Sequence, residues 1–146
     1  MCRHSRGIEE NTTVPLVSGR GDVSFDGQGN FPGDEGTVEF WLRPGWDGNN
    51  GATQSVFGAS GGEMNYLNIN KLPTDRFGAG MSGKPAAKDF VYRRADAPVK
   101  DWRAGQWHHL AVCWKGDRLA LWIDGQCAAR SSGVVPPQSP PVHLIK

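Results

Sequence analysis

Two runs separated only by Gly116-Asp117 constrain this chain more than any other stretch: Trp107-His108-His109-Leu110-Ala111-Val112-Cys113-Trp114-Lys115 and Arg118-Leu119-Ala120-Leu121-Trp122-Ile123. A loop of two residues between two such runs is a tight hairpin turn. Side chains on a strand alternate between faces, so the turn fixes which residues oppose each other. Leu110 then faces Ile123, Val112 faces Leu121 and Trp114 faces Leu119. That face is uniformly apolar and belongs to a core. The other face holds His109, Ala111, Cys113 and Lys115 against Arg118, Ala120 and Trp122. A second turn at Asp124-Gly125 brings Cys127 opposite Trp122 and Ala129 opposite Ala120. Such a sheet is covered on one side and at least partly open on the other.

The remaining sequence repeats this texture. Short β-rich runs are expected near 14–17, 22–25, 36–43, 54–59, 65–71, 76–81, 89–93, 107–115, 118–123 and 127–131, with a last piece at Val142–Ile145. Asp26-Gly27, Asp47-Gly48, Gly61-Gly62 and Asp124-Gly125 punctuate them as turns. No helical period persists anywhere. With 146 residues the chain fits one domain able to bury about 70% of its unfolded surface. Gly 20 and Pro 10 suit many tight turns, while six Trp and six Phe supply the core. Residues 1–13 are polar, without period, and read as a loose tail; residues 14–146 read as the domain. Pro136-Pro137-Gln138-Ser139-Pro140-Pro141 reads as an extended spacer.

The formal charge of +1 leaves no electrostatic footprint for nucleic acid or an anionic membrane. No run approaches the ~18 apolar residues of a membrane span. Met1-Cys2-Arg3-His4-Ser5-Arg6 is basic but no apolar stretch follows, so it is not a signal peptide as it stands. Cys2, Cys113 and Cys127 lack zinc spacing. Cys113 and Cys127 lie two strands apart, about 9.5 Å, beyond the ~7 Å reach of a disulfide, and are expected as free thiols.

Three motifs in order carry a resemblance. Phe25-Asp26-Gly27 is followed by Gly36-Thr37-Val38-Glu39-Phe40-Trp41-Leu42-Arg43-Pro44, then by Gly105-Gln106-Trp107-His108-His109-Leu110-Ala111-Val112 with 119–125 ending in Asp-Gly. Together they resemble the laminin G-like domains, which share a fold with legume lectins, pentraxins and some glucanases. The resemblance implies an all-β, two-sheet antiparallel jelly-roll sandwich of the concanavalin A-like kind. It implies extracellular or cell-surface placement, neighbouring domains in a longer chain, frequent calcium binding, and glycans or extracellular proteins as ligands. Val142–Ile145 resembles the family's penultimate strand. One or two closing strands are therefore expected to be lacking, with Val142, Leu144 and Ile145 left at an unpaired edge.

Trp122 with His109 is the leading carbohydrate candidate: an indole on an open face stacks on a pyranose while an imidazole bonds to hydroxyls. The other reading is that loops cover this face and Trp122 is core. Trp41 faces away from Val38, Phe40 and Leu42 and joins the candidate set. His108 and His109 point to opposite faces and cannot chelate one ion. Asp47-Gly48-Asn49-Asn50-Gly51 clusters hard oxygens and reads either as a calcium loop or as a plain turn. Arg93, Arg94, Lys100 and Arg103 form a basic cluster broken by Asp96 and Asp101, open to a polyanion or simply solvated. Arg20-Gly21-Asp22 reads as a chance match to an integrin tripeptide, and Asn11-Thr12-Thr13 as a glycosylation acceptor pattern.

Enzyme chemistry finds little support. Glucanases of this fold carry Glu-x-Asp-x-Glu on one strand, and Glu9, Glu10, Glu35, Glu39 and Glu63 form no such pattern. The expected function is an extracellular binding or adhesion module, carbohydrate-binding, inside a larger protein. The alternatives are a structural accessory domain with no ligand and, more remotely, a glycoside hydrolase.

Overall fold

The computed structural model describes residues 23–26, 33–61, 65–83, 89–137 and 142–145. These form ten strands and no helix: β1 (Val23–Asp26), β2 (Glu35–Leu42), β3 (Gln54–Ser60), β4 (Tyr66–Lys71), β5 (Arg76–Gly83), β6 (Val91–Pro98), β7 (His108–Lys115), β8 (Arg118–Ile123), β9 (Gln126–Ser132) and β10 (Val142–Ile145). They make a six-stranded sheet in the order β1-β10-β3-β4-β5-β6 and a four-stranded sheet in the order β2-β7-β8-β9. Every pairing is antiparallel. The run expected as a strand at 14–17 lies outside the described residues, as do the tail, Arg20-Gly21-Asp22 and Asn11-Thr12-Thr13.

The two sheets close on a core drawn from alternate positions of each strand. The large sheet contributes Leu67 and Ile69 of β4, Phe77, Ala79 and Met81 of β5, and Ala95 and Ala97 of β6. From the small sheet come Leu110, Val112 and Trp114 of β7 and Leu119 and Leu121 of β8. Val38, Phe40 and Leu42 of β2 extend it toward the edge. Burying a side chain such as Phe77 or Leu121 is worth about 1.5–3 kcal/mol, so this double layer is the main cohesive element.

The β7–β8 register is the one the sequence dictates: Leu110 opposes Ile123, Val112 opposes Leu121, and Trp114 opposes Leu119. The next hairpin needs a correction. Asp124 (φ 50°) and Gly125 (φ 79°) form its turn, and Cys127 opposes Trp122 as expected. A bulge then shifts the ladder, so Ala129 opposes Leu121 and Arg130 opposes Ala120. The extra residue turns Ala129 inward, where it packs on the core.

The last strand also departs from expectation. β10 pairs with β1 on one side and β3 on the other. It is an interior strand of the large sheet, and the unpaired edge expected at Val142, Leu144 and Ile145 is not present. The strand returns to lie beside the first described one, which satisfies both rows of its backbone groups.

Candidate functional site

The outward face of the large sheet is polar and built from three strands. Tyr66, Asn68 and Asn70 alternate along β4, and Tyr92, Arg94 and Asp96 alternate along β6. Between them, β5 presents Ser82, Gly80 and Gly78, and the register sets Tyr66–Ser82–Tyr92, Asn68–Gly80–Arg94 and Asn70–Gly78–Asp96 in rows. The glycines make the arrangement feasible. A Cβ at Gly80 would lie 2.5 Å from both Asn68 Oδ1 and Tyr92 Oη, and one at Gly78 would lie 2.2 Å from the Ala95 carbonyl oxygen.

Arg94 reaches across this bare strand and holds the face together. Its Nε donates to both Asp96 oxygens at 3.0 Å, and its Nη2 donates to Asp96 Oδ1 at 2.7 Å and Asn70 Oδ1 at 2.8 Å. Its Nη1 donates to Tyr92 Oη at 2.8 Å and Asn68 Oδ1 at 3.4 Å. The side chains of Arg94 and Asp96 are only 13% and 15% exposed, low values for charged groups on a sheet's outer face. Burial by itself would lower the Arg94 pKa. The hydrogen bonds and charges of Asp96 and Tyr92 outweigh it and hold the pKa above its ordinary value. Arg94 accepts nothing and takes up the amide oxygens of Asn68 and Asn70, so both NH2 groups turn away from it as donors. Tyr92 keeps its phenolic proton to donate, and its ring lies 6.1 Å from that of Tyr66 at 47°. The result is a fixed plateau of two phenol rings, two amides, a guanidinium and one carboxylate.

The outward face of the small sheet holds the residues singled out from the sequence. Trp41 of β2 opposes His109 of β7, with ring centroids 5.0 Å apart. His109 Nε2 sits 2.8 Å from Glu39 Oε1. Trp41 is 66% exposed. Trp122 opposes Ala111 on the same face and is half-buried. Its Nε1 is buried without a hydrogen-bond partner among the described residues. The three candidates therefore share one surface, with Trp41 and His109 in ring contact and Trp122 a row away.

His108 points the opposite way, as the strand period requires. Its ring stacks on Trp102 at 3.9 Å, with Nδ1 2.9 Å from Asp124 Oδ2. Asp124 also accepts the His109 backbone N–H through Oδ1 at 2.8 Å. Desolvation pushes the Asp124 carboxyl up, but these hydrogen bonds and the neighbouring histidine charges prevail and its pKa is lowered. Cys113 is buried and Cys127 half-buried, and no disulfide joins the two.

The basic residues do not act as one cluster. Arg94 belongs to the plateau, Arg93 donates to the Tyr92 carbonyl at 2.9 Å, and Arg103 donates to the Lys100 and Trp102 carbonyls at 3.1 and 3.0 Å. Among the described residues no group of three or more His, Cys, Asp or Glu side chains could hold a metal ion. The plateau went unrecognised in the sequence, although its signal is there. Tyr-x-Asn-x-Asn and Tyr-x-Arg-x-Asp alternate with the strand period on either side of Gly-x-Gly-x-Ser.

The β-sandwich thus presents one polar outer face whose groups are already fixed by mutual hydrogen bonds. Residues 17–144 match a laminin G-type family of the concanavalin A-like lectin/glucanases superfamily, and the chain belongs to that family. The mouse laminin alpha1 chain, domains LG4-5, is similar in fold, with TM-score 0.65 and 12% identity over 87% of this chain and 32% of that one. A Bacillus licheniformis beta-glucanase is similar with TM-score 0.54 and 18% identity over 77% of this chain and 52% of that one. The chain thus spans about a third of the first and half of the second. A search of curated proteins gave no match. A likeness to both a laminin and a glucanase fixes the fold and leaves binding and hydrolysis to be decided by the residues themselves.

Proposed function

We propose that this domain is an extracellular glycan-binding module of a larger protein, and that it takes its ligand on the plateau of the large sheet. The observation that carries this reading is the Arg94 network. It fixes planar polar groups beside the Tyr66 and Tyr92 rings before any ligand arrives. Sugars present hydroxyls that bond to amides, carboxylates and guanidinium, and C–H faces that pack on aromatic rings. Groups held in place beforehand lose little freedom on binding. Family membership and the laminin neighbour support a binding or adhesion role.

Hydrolysis is the weaker reading. The two-carboxylate reaction needs an acid and a nucleophile or base flanking one bond. Among the described residues of the plateau Asp96 is the one carboxylate, and Arg94 already engages both its oxygens. The Trp41, His109 and Trp122 surface is the competing glycan face, favoured by the exposure of Trp41.

A glycan array probed with the wild-type domain and with Tyr92→Ala, Asn70→Ala, Trp41→Ala and Trp122→Ala variants separates these readings. On the plateau reading, Tyr92→Ala weakens the retained glycan about 5–30-fold, equivalent to losing ~1–2 kcal/mol of ring contact. Asn70→Ala weakens it less, and Trp41→Ala leaves it unchanged. Loss with Trp41→Ala or Trp122→Ala and retention with Tyr92→Ala would move the site to the small sheet. A folded wild-type domain that retains no glycan would leave the structural accessory role.

A further inference from the structure

The loop read from the sequence as a calcium candidate gives an oxygen, that of the Asn50 side chain, to a different cation. Lys71 ends β4 on the same parity as Leu67 and Ile69, so its side chain runs inward, and it is fully buried. Its ammonium donates to Asn50 Oδ1 at 2.8 Å, to the Ala52 carbonyl at 3.1 Å and to the Leu72 carbonyl at 3.1 Å. Asp75 Oδ1 stands 3.9 Å away. Three acceptors match the three protons an ammonium offers, and the carboxylate answers its charge. A fully buried charge persists only when paired and hydrogen-bonded in this way.

One amide oxygen, two backbone carbonyls and a carboxylate are the hard donors calcium uses. Calcium nevertheless does not fit. It takes six to eight oxygens at ~2.3–2.6 Å, and the nearest three here stand 2.8–3.1 Å from a positive charge already in place. Asp47, the one carboxylate of the candidate loop, is turned elsewhere: its Oδ1 accepts the Ala104 backbone N–H at 2.9 Å.

We propose that Lys71 is the resident cation of this domain, joining the 50–52 loop to the 72–75 turn and making that end of the sandwich independent of calcium. Its charge also steadies Asp75, whose φ of 59° is a conformation that side-chain-bearing residues seldom adopt. The carbonyl of Asp75 in turn accepts the Val99 backbone N–H at 2.8 Å, so the ammonium supports the exit from β6 as well.

Thermal unfolding tests this in two stages. For the wild-type domain, Tm should agree within about 1 °C in excess calcium and in EDTA, because no ion binds the native state selectively. A clear rise with calcium that EDTA reverses would overturn the proposal. Lys71→Met keeps the stem and removes the charge, stranding buried oxygens, and should lower Tm by about 5–10 °C. Lys71→Ala should fall at least as far and regain part of the loss in methylammonium or ethylammonium, which fit the vacated space. Lys71→Met should gain nothing from the same salts. A Lys71→Met domain melting like the wild type would overturn the proposal. So would a folded Lys71→Ala domain that responds to neither amine. Should Lys71→Ala not fold, the wild-type calcium comparison and Lys71→Met still decide the matter.

Discussion

The two sheets obey the same in-and-out alternation, yet their outer faces have little in common. On the large sheet the strand between the two polar strands offers Gly78 and Gly80. Long side chains from β4 and β6 fold over it and bond to one another. On the small sheet the middle of the inner strands offers Ala111, Cys113 and Ala120 beside Trp122, with His109, Lys115 and Arg118 toward the strand ends. Beside them, on the edge strand β2, Glu35, Glu39 and Trp41 are exposed. A pair of hydrogen atoms in place of methyl groups thus separates a pre-formed polar plateau from an apolar surface with a polar rim. The filler of the middle strand, more than the polar residues themselves, decides which kind of face forms.

Substitutions in the middle strands test that contrast most directly. Gly78→Ala would bring a methyl group to 2.2 Å from the Ala95 carbonyl oxygen, a backbone atom that cannot swing aside. It should destabilise by about 3 kcal/mol and lower Tm by roughly 6–12 °C. On the other face Ala120→Gly should lower stability by only about 0.5–1 kcal/mol through added chain freedom. Equal melting shifts for the two variants would erase the distinction between the faces.

The next largest effect is expected at the polar groups. Arg94→Ala strands the Asp96 carboxylate and the oxygens of Tyr92, Asn68 and Asn70 in a mostly buried setting, and should destabilise by about 2–3 kcal/mol. Arg94→Lys should recover little, since an ammonium cannot span four partners as a planar fork does. Glu39→Ala on the small sheet removes a carboxylate that is 45% exposed and should shift stability by less than about 0.5 kcal/mol. Denaturant midpoints for the three variants measure this ordering, and an Arg94→Ala domain as stable as Glu39→Ala would show the network to be ornamental.

Much of this fold was legible because alternation and turn length leave little freedom. The run 118–123 and the register of the β7–β8 hairpin follow from Gly116-Asp117 and an apolar face that had to be buried. What could not be read depends on contacts distant in sequence. Bulges are local insertions without a strong residue signature, so the inward turn of Ala129 was missed. β6 runs to Pro98, past the expected end at residue 93, because its polar Arg94 is held by β4 partners 24–26 residues earlier and in turn holds Asp96. Lys71 reads as the polar end of a strand, since oxygens from two loops make it an interior group. The binding candidates were chosen for their indoles. The plateau has none, and its glycines read as turn formers rather than as the floor of a site.

The smallest expected effect separates the two sheets by pH. Arg94, with its pKa raised, stays charged throughout the working range, so the plateau should not respond to pH through that group. Asp124, at the β8–β9 turn of the small sheet, has its carboxyl pKa lowered by His108 and the His109 backbone N–H against the opposing effect of desolvation. A carboxyl with a depressed folded-state pKa contributes stability above its unfolded value of about 3.9, and that contribution disappears as pH falls through the folded value. Since the side chain is 50% exposed, solvent screens the interaction and its contribution should stay under about 1 kcal/mol. Asp124→Asn keeps an oxygen acceptor for His109 and cannot titrate. Tm measured from neutral pH down to about pH 3 should therefore fall more steeply for the wild type than for Asp124→Asn, with the curves converging at the acid end. Parallel curves over the whole range would place the acid sensitivity on other carboxylates and leave the His108–Asp124 contact a matter of turn geometry alone.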